Sequence, residues 1–171
     1  EDLGSIDAGQ HKGKKAYIDF SPNWQKIREA FNYVITGLKT IHEKFPTHQE
    51  PLRLLGYVYS ILGDLENVIF CYQEYLSTTK DDYESAYYYA MALYRSNDTS
   101  NAKKQFQMVA DFIENSESRS LNRAIILLYC KYFLDDSEGF HAAFLYVEEM
   151  IDLLTEEEKK EREGQLMKAA L

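Results

Sequence analysis

The side chains best suited to chemistry in this sequence are four histidines and two cysteines, and their spacing matches no reactive site. His42 and His48 fall on either side of Pro46, so they cannot share one face of a helix. Cys71 and Cys130 lie far apart in apolar stretches, without the short spacing of a zinc site. We therefore predict no metal site and two buried, free thiols.

Three other motifs carry a weak chemical signal. The glycines at 4, 9 and 13 lack the spacing of a phosphate-binding loop. The acidic run 156–163 contains lysines and an arginine four residues from glutamates, a pattern typical of a solvated helix. Asn97-Asp98-Thr99 fits a glycosylation sequon, and we interpret it as a chance match in a turn. The sequence thus predicts a protein that is not an enzyme and needs no cofactor.

Charge and composition limit the classes of partner. The 171-residue chain has 28 acidic and 19 basic residues, and the net charge of −9 falls entirely in residues 51–171. This excludes the basic surface that nucleic acids or anionic membranes require. The longest uninterrupted apolar run, 86–94, is too short to insert into a membrane. With two cysteines and no disulfide framework, we predict a cytoplasmic location.

The elements that must position any site are helices joined by short breaks. Residues 1–20 form a predicted flexible arm, rich in glycine and lysine, that ends in a short extended piece. Apolar residues then recur every three or four positions up to Pro46, which predicts one long amphipathic helix. Further breaks are expected at 63–64, 78–82, 96–100, 115–118 and 134–138. A capping box at Thr155 and Glu158 opens a last helix.

The middle of the chain repeats itself with a period of about 34 residues. The stretch Leu55-Gly56-x-x-Tyr59 returns as Tyr89-Ala90-x-x-Leu93, and Ala102-x-x-x-Phe106 supplies the second half of the unit. These positions resemble the tetratricopeptide family. The resemblance covers about residues 22–154 and is strongest over 49–115.

The resemblance implies an all-α fold, a right-handed solenoid of helical hairpins. About three repeats would span 49–82, 83–116 and 117–154 of a domain over 21–171. The long N-terminal helix would be a half repeat, and 155–171 a capping helix.

Small residues inside the helices predict where the helices touch. Glycine costs roughly 1 kcal/mol relative to alanine inside a helix, so Gly56 needs a compensating close contact. We predict that Gly56, Ala90 and Ala102 lie where paired helices cross, and that Gly63 ends a helix with a positive φ.

The third unit fits the period less well. Ala124 follows Ala90 by one full period, which makes it the equivalent small position. The small residues of the second helix, Ala142 and Ala143, come six or seven positions late. We therefore expect a longer first helix, or a longer loop, within this pair.

The first helix of each hairpin in such a solenoid lines a concave groove. Helical geometry turns a set of aromatic, aliphatic and arginine side chains toward it. The predicted groove residues are Arg53, Tyr57, Ser60, Tyr87, Met91, Tyr94, Arg95, Leu121, Ile125 and Leu128. This lining suits a hydrophobic or amphipathic segment of a partner protein rather than a C-terminal carboxylate. The segment 17–20 of the arm is an alternative occupant.

The leading hypothesis for function is therefore a protein-protein interaction module, an adaptor or scaffold. One alternative is a structural piece of a larger multi-subunit assembly, which would self-associate through an apolar end. Another is a bacterial secretion chaperone of a translocator protein, which the chain resembles in size, acidity and repeat number.

Overall fold

A computed structural model describes residues 22–154 of the chain, which form seven helices and no strand. The helices are α1 (Pro22–Lys44), α2 (Glu50–Leu62), α3 (Leu65–Thr78), α4 (Tyr83–Arg95), α5 (Thr99–Glu114), α6 (Leu121–Phe133) and α7 (Ser137–Asp152). The predicted arm 1–20 and capping helix 155–171 lie outside the described residues.

Six of the helices form three hairpins: α2 with α3, α4 with α5, and α6 with α7. Each hairpin packs on the next through α3 and α4, or through α5 and α6, while α1 packs on α2 as a half repeat. The first helices of the second and third hairpins also approach each other, since α4 contacts α6. This arrangement confirms the predicted all-α solenoid of helical hairpins.

The turn inside every hairpin is built the same way. A residue with positive φ ends the first helix, and an aspartate then caps the second by accepting a backbone N–H three residues on. The positive-φ residues are Gly63 (70°), Asn97 (70°) and Asp135 (60°). The capping pairs are Asp64–Asn67, Asp98–Asn101 and Asp136–Gly139. The positive φ predicted for Gly63 is confirmed.

Gly56 lies directly beneath the ring of Tyr72 on α3. A Cβ atom added at Gly56 would lie 2.9 Å from Cζ of that ring, closer than real Cβ contacts allow. Tyr72 is itself 1% exposed, so the ring has nowhere to retreat. In the second hairpin Ala90 and Ala102 are fully buried in a core with Phe106.

The third hairpin follows the second at a different spacing. Asn97 comes one full period after Gly63, but Asp135 comes four positions later than one period after Asn97. The added positions lie before the third pair: α5 has 16 residues against 14 in α3, and the α5–α6 connection spans 115–120. The first helix α6 has 13 residues, like α2 and α4. The expected lengthening inside the third pair is therefore wrong.

This spacing changes the role of Ala124. Gly56 and Ala90 each precede their turn residue by seven positions, and Leu128 is the residue that does so in α6. Ala124 lies one helical turn earlier, fully buried in a small cluster with Met150 of α7. It is a buried contact between α6 and α7, but it is not the counterpart of Ala90.

A lysine occupies a core position of the third hairpin. Lys131 precedes its turn residue by four positions, as Tyr59 and Leu93 precede theirs, and it is 7% exposed. Its Nζ lies 2.8 Å from Glu114 of α5 and 3.3 Å from Asp136 at the start of α7. A charged group thus lies where the other hairpins have apolar side chains.

Candidate interaction surface

The first helices of the three hairpins carry tyrosines that remain partly exposed. In α4, residues 87, 88, 91, 94 and 95 recur at helical spacing and share one side of the helix. The corresponding side of α6 carries two tyrosines, and that of α2 carries one. The exposed tyrosines are Tyr57, Tyr88, Tyr94, Tyr129 and Tyr132, with exposed fractions from 40% to 64%. We call these five residues the tyrosine face.

Ring contacts join the tyrosine face across neighbouring hairpins. Tyr87 lies between helices, with its ring centroid 6.4 Å from that of Tyr129 on α6. Tyr94 packs 4.8 Å from Phe133. Such distances are typical of attractive aromatic pairs. The surface is therefore continuous from α4 to α6.

The core supports these rings from beneath. Phe133 stacks on the fully buried Phe106 at 4.8 Å, and Tyr88 stacks on the buried Tyr72 at 6.4 Å. Because Tyr88 lies against a buried ring, and Tyr94 against Phe133, which is itself stacked on a buried ring, these two tyrosines have little side-chain freedom left to lose on binding.

A cavity of about 220 Å³ opens between the first two hairpins. It is lined by Ser60, Leu65, Val68, Tyr87, Tyr88, Met91, Ala92 and Arg95. The structure thus brings four predicted groove residues, Ser60, Tyr87, Met91 and Arg95, to one place. A volume of this size accommodates one or two apolar side chains of a bound segment.

The two arginines of the predicted groove differ in their availability. Arg53 pairs with Glu50 through two contacts, and the Nε–Oε2 distance is 2.9 Å. The hydrogen bond to Glu50 raises the pKa of Arg53 above its ordinary value. Arg95 is exposed and makes no ion pair with another residue of the described part of the chain. Arg95 is thus the arginine available for a partner.

The hydroxyls of Tyr87 and Tyr88 stay neutral at physiological pH. Burial raises the pKa of Tyr87 and Tyr88 above the ordinary value for a phenol. Neutral hydroxyls both donate and accept hydrogen bonds, so each ring offers an apolar body with a polar tip.

In the third hairpin, the sequence-based prediction has the wrong register. Leu121 is 9% exposed and packs in the cluster with Met150, so it does not line an open groove. Ile125 and Leu128 are half-buried against the core. When the hairpins are aligned by their turn residues, Ile125 corresponds to Tyr87, while Tyr129 and Tyr132 follow Met91 and Tyr94.

Sequence reasoning missed three members of the tyrosine face. A fixed period of 34 residues does not assign Tyr129 and Tyr132 to the groove. It does not select Tyr88 either, because one period after Tyr57 comes Met91. The signal is present in the turns, because Asn97-Asp98 and Asp135-Asp136 align the hairpins at the observed spacing.

Reactive chemistry has little support in residues 22–154. No group of three or more histidine, cysteine or acidic side chains in this range is placed to hold a metal ion. Burial raises the pKa of the Cys71 thiol to about 11 and that of Cys130 to about 12, so both stay protonated and unreactive. None of the seven helices combines the length and apolar character that crossing a bilayer requires.

No protein-family model matches the chain, and no curated protein matches it in sequence. Solved structures do resemble it. A MamA RS-1 ArsTM double mutant superposes with a TM-score of 0.59 at 12% identity, covering 76% of this chain and 71% of the other. MamA MSR-1 C2 gives a TM-score of 0.52 at 12% identity, with 75% and 72% covered. MamA is a tetratricopeptide-like protein, so the likeness supports a fold of that type.

Proposed function

We propose that this protein is a non-enzymatic interaction module, an adaptor or scaffold, that binds a hydrophobic or amphipathic segment of a partner protein on the tyrosine face. The observation that carries the proposal is the continuous aromatic surface over α4 and α6, with Tyr87 next to Tyr129 and Tyr94 next to Phe133. Tyrosine is among the residues that contribute most to binding energy at protein interfaces.

The lining of the surface favours a segment with apolar anchors and a polar edge. Met91 and the cavity beside it provide adaptable apolar space, while Arg95 offers a positive charge at the rim. A segment that presents apolar residues to the cavity and an acidic residue to Arg95 complements both features. The two buried, free thiols support a reducing cytoplasm as its location.

The test separates the tyrosine face from the rest of the surface. Peptides of about five helical turns are selected from a displayed random library on the wild-type protein. Their affinities for a Tyr57→Ala, Tyr129→Ala and Tyr132→Ala triple variant are then measured by fluorescence anisotropy. We expect affinity to fall by at least about a hundredfold, since each ring contributes about 1–2 kcal/mol.

The matched control lies on the second helices. Phe70 of α3 and Met108 of α5 are 59% and 61% exposed, so their joint replacement by alanine removes a similar kind of surface elsewhere. This double variant should bind the peptides like the wild type. Equal losses in both variants, with helical circular dichroism unchanged, would contradict the assignment of the tyrosine face.

A structural role in a larger assembly is the second candidate. It is favoured by α1, whose exposed apolar residues lie at the end of the solenoid.

A further inference from the structure

One side of α7 carries large apolar residues that remain exposed within the described part of the chain. Phe140, Phe144 and Ile151 are 38%, 43% and 41% exposed. Together with the half-buried Val147, they recur at steps of three and four residues, so they share one side of the helix. A row of large apolar side chains of this kind marks a contact surface.

The other two hairpins show what covers this side of a second helix. Counted from the capping aspartates, Phe144 corresponds to Tyr72 and Phe106, which are 1% and 0% exposed. The first helix of the following hairpin lies over both: the ring of Tyr88 is 6.4 Å from that of Tyr72, and the ring of Phe133 is 4.8 Å from that of Phe106. Within residues 22–154 no helix follows α7, so its corresponding side is left open.

We propose that residues 156–171 bind this side of α7 as a helix antiparallel to it. The segment is long enough, because α2, α4 and α6 have 13 residues each, and the connection before α4 is as short as 79–82. The capping box at Thr155 and Glu158 begins a helix at the required place. Consecutive helices of the solenoid alternate in direction, which makes the new helix antiparallel to α7.

The apolar residues of the segment complement those of α7 in this orientation. They are concentrated in 166–171, at the end of the segment. In an antiparallel pair, residues at similar sequence distances from the connection lie at the same level, as Tyr72 and Tyr88 do. The apolar end of the segment thus comes to the level of Phe140 and Phe144, the most apolar part of the open side.

The charges of the two elements complement each other at the opposite end. Glu148 and Asp152 are exposed near the end of α7, and Glu148 makes no ion pair with another residue of the described ranges. Lys159 and Lys160 lie near the start of the segment. Glu148 precedes the end of α7 by four residues and Lys160 follows position 156 by four, so these two side chains come to one level.

A second copy of α7 fits the same surface less well. An antiparallel pair of α7 helices would place Phe140 of one copy at the level of the acidic end of the other. A parallel two-fold pair would bring each Glu148 close to its own copy. The distribution of charge therefore favours the segment 156–171 as the occupant.

The experiment follows hydrogen exchange in residues 156–171 of the full chain by mass spectrometry. These amides should exchange slowly in the wild type, and Phe144→Glu should accelerate their exchange by at least about tenfold, because it removes a large apolar contact. The matched control is Leu145→Glu, which adds the same charge at the adjacent, 51% exposed position on another side of α7 and should leave the exchange unchanged. Wild-type amides that exchange at the rate of an unstructured peptide, or equal effects of both variants, overturn the proposal.

A charge exchange tests the orientation. Lys160→Glu should accelerate exchange of the segment by about two- to fivefold, and adding Glu148→Lys should restore slow exchange. A double variant that exchanges no more slowly than Lys160→Glu alone overturns the antiparallel register. Analytical ultracentrifugation identifies the other occupant: a dimeric wild type with an unprotected segment, which Phe144→Glu converts to a monomer, would place a second copy on α7 and overturn the proposal.

Discussion

The first and third hairpins each contain a glycine in tight contact, but the groups that lie over it differ. Over Gly56 lies the ring of Tyr72. Beside Gly139 lie the stem of Lys131, with Cδ 2.8 Å from a Cβ built there, and the carboxylate of Asp136. Gly56 lies in the middle of a first helix under an aromatic ring, whereas Gly139 lies at the start of a second helix beside a charged pair, where the other hairpins have Asn67 and Asn101.

The difference shows that the close contact at Gly56 is not repeated in the third hairpin, where Leu128 holds the equivalent position and the tight contact lies beside the turn instead. An apolar contact such as Gly56–Tyr72 has no group that titrates near neutrality, so its stability is insensitive to pH. The contact at Gly139 depends on an ion pair whose acidic partners are each about 40% exposed. Such pairs contribute less because water screens them.

The largest expected effect breaks the apolar contact. Gly56→Leu should lower the free energy of unfolding by about 3 kcal/mol, because the new side chain would overlap a ring that cannot move. Urea denaturation followed by circular dichroism measures the change. A variant as stable as the wild type would show that Tyr72 can leave its position.

Truncating the lysine tests the charged contact. Lys131→Ala should cost about 2 kcal/mol, since the buried stem is lost together with the ion pairs. Hydrogen exchange should localise the loss to α6 and α7, in contrast to Gly56→Leu, which should affect α2 and α3. A uniform loss across all hairpins would indicate that the solenoid unfolds as one unit.

A smaller effect concerns pH. Burial by itself would lower the pKa of Lys131, but hydrogen bonds to Glu114 and Asp136 raise it above the ordinary value of 10.5. The stabilisation is thus complete below pH 10.5 and is lost as pH rises through the higher pKa of the folded state.

The contribution of Asp136 to stability depends on pH in the opposite direction. The Gly139 N–H, and then Lys131, lower its pKa below 3.8, so its contribution is present above pH 3.8 and lost as pH falls. Hydrogen exchange of α6 and α7, followed below pH 3.8 and above pH 10.5, measures how much Lys131 and Asp136 stabilise the third hairpin. Lys131→Met keeps the stem without the charge and should abolish the alkaline loss; an unchanged alkaline loss would assign it to another group.

The smallest effect uses a glycine without a close neighbour. Gly37→Ala should raise the free energy of unfolding by about 0.5–1 kcal/mol, because alanine favours the helix more than glycine does and its Cβ atom displaces no neighbouring atom. Thermal unfolding at low protein concentration checks this without interference from association. Destabilisation would reveal a contact at Gly37 that the described residues do not contain.

Local signals in the sequence predicted the helices and their packing order. The turns at Gly63-Asp64 and Asn97-Asp98 contain the residue types that end one helix and cap the next, so the hairpins could be read from short-range chemistry. The sequence also indicates that Gly56 makes a close contact, because glycine inside a helix is otherwise unfavourable. The residue that makes this contact, Tyr72, could be identified only from the structure.

The third hairpin could not be placed by periodicity, because extra positions are added before it in α5 and the following connection. A fixed period then assigned Leu121 to the groove and overlooked Tyr129. The same shift concealed Lys131, which looks like an exposed lysine until its position is compared with Tyr59 and Leu93. Insertions of this kind leave the packing intact, so a fixed period does not reveal them, whereas the residue types of the turns do.

The repeated turn has a kinetic consequence. Each pair of a positive-φ residue and a capping aspartate is completed by atoms only three residues apart. Contacts between residues this close in sequence cost little loop-closure entropy, and chains rich in such contacts fold quickly. As the polypeptide leaves the ribosome, the turn at Gly63 can therefore form before the residues of α7 have been synthesised.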